Sequence, residues 1–184
     1  TGTVTDSGGD PLEDICVYGY SESTGRGQSV ITNSSGESSM EQLRSADDFV
    51  VEFSDCGSNN VVREYYDDKF FYEEADLVSA TDGATTSGID AELAIGGTIS
   101  GNVVDEQGDP LEDICVSASG AQFGIYADAQ TDASGDYQLT RLASDSYRIE
   151  FYSCGDNDVV DEYYDNQYER RRANRVAATV GLDV

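Results

Sequence analysis

Cysteine is the residue type whose spacing in this sequence says most about chemistry. The four cysteines form two pairs, Cys16 with Cys56 and Cys115 with Cys154, separated by 40 and 39 residues. Zinc held by four thiolates needs closely spaced cysteine pairs, and these are far apart. An even count at equivalent positions favours one disulfide within each half of the chain. Disulfides persist in oxidising compartments, so we expect an extracellular or cell-surface protein.

Carboxylates are the second group that could do chemistry, because the sequence has 37 acidic and 10 basic residues and a formal net charge of −27. This balance argues against nucleic acid and anionic membranes as partners, since phosphate binding needs clustered lysine and arginine. Calcium prefers several carboxylate oxygens, although no loop here matches an EF-hand. A solvated acidic surface explains the same residues without a metal, and we expect no required cofactor. The calcium candidates are Asp156, Asp158 and Asp161, with Asp6, Asp10 and Asp14 as a second set.

Histidine is absent from the sequence. Its absence rules out histidine general acid–base catalysis, Ser-His-Asp and Cys-His nucleophilic sites, and histidine-containing zinc sites. Carboxylate pairs are plentiful, but nothing in the sequence places two of them across a cleft. We therefore expect no enzyme. No apolar run approaches the roughly 18 residues of a membrane span, so we expect no membrane insertion.

An internal repeat must position these residues. The string GDPLEDICV occurs at residues 9–17 and again at 108–116, and residues 1–80 align over 100–178 with one single-residue slip. The period is roughly 100 residues, which is a domain length and too long for a solenoid repeat. The sequence therefore predicts two tandem domains, at residues 1–96 and 97–184.

Each copy has the pattern of an all-β domain. Apolar residues alternate in the runs before and after the Gly-Asp-Pro turn, and alternation indicates strands with one buried face. The strings TNSSG and TDASG predict a hairpin turn, and DFVVEF and SYRIEF predict another strand. We therefore predict two all-β domains. Whether Cys16 and Cys115 face the core or the outside of the sheet stays open.

Tyrosines and arginines mark the end of each copy. The segments at 61–71 and 159–168 are dense in tyrosine, which typically packs over the mouth of a sandwich, although a platform for stacking sugars is the alternative. An arginine cluster follows in the second copy only, where the first copy has Glu73 and Glu74. Opposite charge at equivalent positions favours a docking contact, with a solvated run as the alternative. The interface candidates are Arg170, Arg171, Arg172 and Arg175.

Two further features concern the surface. Asn33 begins the sequon Asn-Ser-Ser in the predicted turn, so it is a glycosylation candidate, with an unmodified turn as the alternative. The stretch 92–99 exists only between the copies, so the first copy lacks the start of its first strand and the second copy lacks the end of its last. Unpaired sheet edges accept strands from other molecules. Either copies of the chain polymerise head to tail, or the chain is cut from a longer array.

The segments GTISGNVVDEQGDPLEDICV, from Gly97, and TDASGDYQL, from Thr131, resemble carboxypeptidase regulatory-like and collagen-adhesin B-type domains. The resemblance covers nearly all of both copies. It implies two tandem prealbumin-like (Ig-like) β-sandwiches of about seven strands each, with a structural, stalk-forming or accessory role. Some of the adhesin domains that the chain resembles form an internal Lys–Asn isopeptide bond. The second copy has no lysine and cannot form that bond.

These features together predict a non-enzymatic structural protein, the protomer of a head-to-tail surface fibre or stalk whose partners are copies of itself. The alternative is an accessory module of a secreted enzyme or adhesin. Such a module would recognise carbohydrate or a surface protein through the tyrosine-rich segments, including Tyr65, Tyr66, Tyr163 and Tyr164.

Overall fold

The structure is a computed structural model that describes residues 1–122, 124–155 and 158–180, and its regular elements are β-strands and two short 3-10 turns. The chain divides into two compact units, Thr1–Ile95 (unit 1) and Gly96–Val184 (unit 2). This division lies one residue before the boundary predicted from the repeat. The all-β prediction is confirmed.

Unit 1 packs a three-stranded sheet against a larger one. In the small sheet, β1 lies between β4, which is antiparallel to it, and β8, which is parallel to it. In the large sheet the order is β3-β2-β5-β6, and β7 also pairs with β5. The strands are β1 Gly2–Asp6, β2 Ile15–Ser21, β3 Arg26–Ile31, β4 Glu37–Ser38, β5 Ala46–Asp55, β6 Glu64–Tyr65, β7 Val78–Ala80 and β8 Ala91–Leu93.

Unit 2 repeats the large sheet and has a smaller second sheet. Its large sheet has the order β11-β10-β13-β14, with β15 on β13, whereas its small sheet contains only β12 and β9 among the described residues. Among the described residues, the small sheet of unit 2 therefore has no strand that corresponds to β8 of unit 1. The strands are β9 Gly97–Asn102, β10 Ile114–Gly120, β11 Tyr126–Gln130, β12 Asp136–Leu142, β13 Asp145–Ser153, β14 Glu162–Tyr163 and β15 Arg175–Ala178.

Strand alternation decides which face of β2 and β10 is buried. Ile15 and Val17 point into the core of unit 1, so Cys16 between them lies on the outer face, where it is bonded to the exposed Cys56. The pair Cys115–Cys154 has the same placement in unit 2. The disulfides therefore lie on the outer face of each large sheet, where they join β2 and β10 to the end of the neighbouring strand. The cysteines are not part of the apolar cores.

A buried threonine explains why the TNSSG and TDASG strings match. The Thr32 hydroxyl donates to the Leu12 carbonyl (2.6 Å) and accepts from the Ile15 amide (3.0 Å), which ties the Gly-Asp-Pro turn to the hairpin. Thr131 makes the same two hydrogen bonds in unit 2, at 2.6 and 3.0 Å. The glycine of each string has a positive φ, 74° at Gly36 and 77° at Gly135, and a Cβ there would collide with a backbone carbonyl.

Removing one disulfide tests this account of the stapling. Replacing both cysteines of unit 2 (Cys115→Ala with Cys154→Ala) is expected to lower the unfolding free energy of that unit by about 3–4 kcal/mol, because a loop of roughly 40 residues is no longer closed in the unfolded chain. Urea unfolding followed by circular dichroism measures the change. The matched double variant is Cys16→Ala with Cys56→Ala. It removes a disulfide that closes a loop of almost the same length, so it should destabilise unit 1 by a similar amount. An unchanged unfolding midpoint for both pairs would contradict the account.

Candidate functional site

Unit 1 contains a groove with a volume of about 470 Å³, lined by both apolar and polar side chains. It lies beside residues 39–43, which follow β4 and pair with no strand among the described residues. An open groove next to unpaired backbone exposes groups that folding normally buries or pairs. The apolar side chains that line it are Met40, Leu43, Phe49, Val51, Val78 and Ile89.

The equivalent place in unit 2 is filled by the chain itself. There β12 continues to Leu142 and pairs with β9, with Leu139 opposite Ile99 and Leu142 opposite Gly97. Ile99 is 3% exposed, and the leucines are fully buried. In unit 1 the aligned residues Met40 and Leu43 are only half-buried. The difference arises because β1 begins at Gly2, which aligns with Gly101, so no described residue takes the place of Ile99.

The opposite end of the small sheet shows the reverse difference. In unit 1, β8 pairs with Val4, Thr5 and Asp6 of β1, and the Val62 amide donates to the Ala94 carbonyl at 2.9 Å. Val62 is therefore 2% exposed, whereas its counterpart Val160 in unit 2 is 76% exposed. Residues 91–99 therefore supply a paired strand segment to the small sheet of each unit, β8 in unit 1 and the start of β9 in unit 2.

The carboxyl group of Glu64, on β6, is buried close to β8. Burial raises the pKa of Glu64 to about 7, with further contributions from the negative charges of Asp68, Asp67 and Glu92. Glu92 belongs to β8, so closing this edge brings an additional negative charge towards Glu64. Glu64 was not identified from the sequence, because one glutamate among 37 acidic residues carries no local signal.

The tyrosine-rich segments mostly pack against their own units. Tyr65 is buried and lies edge-on to Tyr72, with ring centroids 5.9 Å apart, and Tyr66 is half-buried against the core of unit 1. Tyr163 is half-buried and donates to Glu150 at 3.1 Å. In unit 2, Tyr164 is exposed, so this unit retains an accessible aromatic surface that unit 1 lacks at the same place.

The arginine cluster lies on an exposed 3-10 turn, Arg170–Arg172, and on the adjacent strand β15. Arg171 and Arg172 pair with Glu169, whereas Arg175 donates to the Ser146 carbonyl at 2.7 Å. The equivalent turn in unit 1 is Tyr72–Glu74. The structure therefore places acidic and basic groups at equivalent exposed positions of the two units.

A fifth arginine extends this cluster into a basic patch, defined here as Arg148, Arg170, Arg171, Arg172 and Arg175. Arg148 is the register partner of Arg175, and burial together with the charges of Arg175 and Arg170 lowers the pKa of Arg148. Its Nε atom is buried and has no hydrogen-bond partner in the described parts of the chain. The patch holds five of the ten basic residues of a strongly acidic protein.

The other sequence candidates are local turn residues. The Asn33 side chain is exposed and accepts from the amides of Ser35 and Glu37, the same role that Asp132 has in unit 2. Asp6 likewise accepts from two amides of its own turn, those of Gly8 and Asp10. Glycosylation at Asn33 stays a prediction.

The calcium candidates stay a prediction. Asp156 lies outside the described residues, and Asp158 and Asp161 are exposed. Over residues 1–122, 124–155 and 158–180, no group of three or more cysteine or carboxylate side chains is arranged to hold a metal ion. The same stretches contain no helix that is long and apolar enough to span a membrane.

Comparison with protein families identifies unit 2. Residues 98–163, which run from β9 to β14, match the model of the carboxypeptidase regulatory-like domain. Unit 2 is similar to the carboxypeptidase regulatory-like domain over these residues. The matched residues begin at Thr98, inside the part of β9 that has no counterpart in unit 1. Because the match is to a regulatory-like domain and the chain has no histidine, it points to a non-catalytic module.

Other comparisons add little beyond the regulatory-like domain. No curated protein sequence matches the chain. Two solved structures are similar to it: the Bacillus anthracis TIE protein, with 14% identity and a TM-score of 0.36, and GBS52, the minor pilin in the Gram-positive pathogen Streptococcus agalactiae, with 13% identity and a TM-score of 0.36. The alignments cover 100% and 96% of this chain, and 32% and 82% of those proteins. Scores this low relate neither protein's function to this chain.

The buried carboxyl group of unit 1 generates a pH-dependent prediction. The folded-state pKa of Glu64, about 7, lies above the ordinary glutamate value of 4.5, so the protein loses stability as the pH rises from about 4.5 through 7 and the carboxyl ionises. Glu64→Gln removes this cost. The melting temperature of unit 1 should therefore rise by a few degrees at pH 8 and stay unchanged at pH 4.

The matched control is Glu162→Gln, at the equivalent but half-buried position of the regulatory-like domain. Melting curves of the chain and both variants at the two pH values provide the measurement. A destabilised Glu64→Gln variant at pH 8 would show that the ionised carboxylate contributes favourable interactions and would contradict the prediction.

Proposed function

We propose that this chain is a structural segment of an extracellular fibre or stalk in which copies meet head to tail. The observation that carries the proposal is the opposite charge of the equivalent exposed turns of the two units, Tyr72–Glu74 in unit 1 and Arg170–Arg172 in unit 2. Complementary charge at equivalent places of two similar units favours contact between copies.

The charge distribution supports contact between copies. The chain carries a net charge of −27, and half of its basic residues lie in the basic patch of unit 2. An acidic surface of a second copy is a complementary partner for that patch, and such complementarity sets orientation more than affinity.

The disulfides support an extracellular setting. Both units carry one, and no free cysteine is present among the described residues. A cross-link on the outer face of each large sheet stabilises a small unit under conditions in which cytosolic reductants are absent. This is the compartment in which a surface fibre or stalk works.

A charge-reversal pair tests the proposal. Arg171 and Arg172 are exposed. The double substitution Arg171→Glu with Arg172→Glu is expected to weaken self-association about tenfold or more at low salt, because it replaces two positive charges of the basic patch by negative ones. Arg26→Glu with Arg44→Glu is the matched control, since it changes the net charge equally on exposed positions of unit 1. Sedimentation velocity over a concentration series measures association. A wild-type chain that stays monomeric at high concentration, with and without calcium, would contradict the proposal.

A second candidate, a carbohydrate-binding accessory module, is favoured by one observation. Tyr126, Tyr164 and Tyr168 of unit 2 are 61%, 45% and 69% exposed, and exposed tyrosine rings can stack on sugar faces. A glycan array separates the two functions. Binding by the monomeric chain that is lost in Tyr164→Ala and kept in Tyr65→Phe would support the accessory module.

A further inference from the structure

We propose that the outer face of the large sheet of unit 1 is a docking surface for the outer face of the large sheet of unit 2 in a second copy of this chain. The inference rests on the proposed function and deepens it by naming the two surfaces that meet. The tyrosine face of unit 1 consists of Tyr18, Tyr20, Val50, Tyr72 and Leu77. The arginine face of unit 2 consists of the residues at the equivalent positions, Ser117, Ser119, Arg148, Arg170 and Arg175.

Strand register places the tyrosine face on the side of the large sheet that faces away from the core. Tyr18 follows the buried Val17 along β2, and Tyr20 lies opposite Val50 of β5. The rings of Tyr18 and Tyr20 are within 16° of parallel, with centroids 6.5 Å apart. The Tyr18 ring also covers Gly27 of β3, where a Cβ would lie 2.5–2.9 Å from its hydroxyl oxygen and ring carbons. The two rings therefore form one packed aromatic surface on the sheet.

The tyrosine face combines exposed apolar side chains with negative charge. Tyr18, Tyr72 and Leu77 are 43%, 36% and 59% exposed. Apolar side chains grouped on the surface of a small unit mark an interaction site. The Tyr72 hydroxyl donates to the carboxylate of Glu22 at 3.5 Å, and Glu73 follows Tyr72 in the exposed 3-10 turn. A partner for this face must therefore cover aromatic rings and neutralise carboxylates.

The arginine face has the opposite chemistry at the same positions. Arg148 of β13 lies opposite Arg175 of β15, and both Arg170 and Arg175 are exposed. Each of these three arginines replaces an apolar residue of the tyrosine face, so the difference between the units is concentrated on this side of the sheet. Glu150 also lies on this side, where its carboxylate accepts from the Tyr163 hydroxyl. The face is therefore basic in a chain that is otherwise strongly acidic.

Tyrosine rings with nearby carboxylates are a suitable partner for arginine. A guanidinium group stacks on an aromatic ring and also donates paired hydrogen bonds to a carboxylate. Unit 1 itself shows the first of these contacts, because the guanidinium carbon of Arg63 lies 5.4 Å from the centroid of the Tyr65 ring. Tyrosine and arginine are also enriched in the cores of protein interfaces. The arginine face therefore supplies what the tyrosine face requires.

The difference between the two faces determines the type of contact. A symmetric dimer would place two tyrosine faces or two arginine faces against each other, and like charges would meet. A contact between unlike faces leaves one tyrosine face and one arginine face free in every pair. Such a heterologous contact repeats from copy to copy and builds a filament or a ring.

Exchanging residues between the faces tests the contact in the full chain. The first variant is Tyr72→Arg with Leu77→Arg, and the second is Arg170→Tyr with Arg175→Leu. Each substitution introduces the residue that the other unit has at the same position, so both variants should fold, which circular dichroism verifies. Each variant alone should self-associate about tenfold more weakly than the wild-type chain in sedimentation velocity, because it presents two like faces.

Two further samples distinguish face recognition from a change in net charge. The first variant keeps the arginine face and the second keeps the tyrosine face, so an equimolar mixture should form a heterodimer that grows no further. The chain with all four substitutions has the wild-type net charge of −27 and exchanged faces, and it should regain wild-type association. A mixture that stays monomeric, or a fourfold variant that associates as weakly as the single-face variants, would overturn the proposal.

The matched control is Val104→Arg with Val160→Arg. It adds two positive charges, as the first variant does, at exposed apolar positions outside both faces. This control should associate at least as strongly as the wild-type chain. An equal loss of association in the control and in the first variant would contradict the docking surface.

The outcomes separate this inference from the proposed function. If the wild-type chain assembles and both single-face variants assemble equally well, the two faces are wrong and the fibre forms through other contacts. If only the second variant loses association, the arginine face binds another surface, and the tyrosine face is wrong as its partner. If the wild-type chain and the mixture both stay monomeric at every concentration, head-to-tail assembly is wrong together with the docking surface.

Discussion

Pairing of the central strand of the small sheet is the constraint on which the rest of the structure depends. A strand backbone needs partners for its amides and carbonyls, and the side chains that it brings complete the apolar core beneath it. In unit 1 the second half of this strand is paired through β8, and in unit 2 the first half is paired through Gly97–Ser100 with β12. Residues 91–99, between the two copies of the repeat, therefore contribute a paired strand segment to the small sheet of each unit.

The disulfides stabilise each unit without entering its apolar core, since they hold the large sheet together from its outer face. The acidic surface disfavours association except where opposite charge is present, and the basic patch of unit 2 is such a place.

Much of the fold follows from the sequence because its determinants are local. Alternating apolar residues, the Gly-Asp-Pro turns and the paired cysteines predict the strands, the turns and both disulfides. The special position of residues 92–99 is also visible, since aligning the copies shows that they occur once. Interactions between residues that are far apart in the sequence could not be predicted. The buried hydroxyl groups of Thr32 and Thr131 act on residues far along the chain, and the raised pKa of Glu64 depends on burial that no neighbouring residue announces.

Electron microscopy of the native material, taken before any purification step that could dissociate it, tests the central claim most directly. The account predicts filaments whose axial repeat accommodates two β-sandwich units. Isolated particles of the size of a single chain, at native concentration and salt, would contradict it.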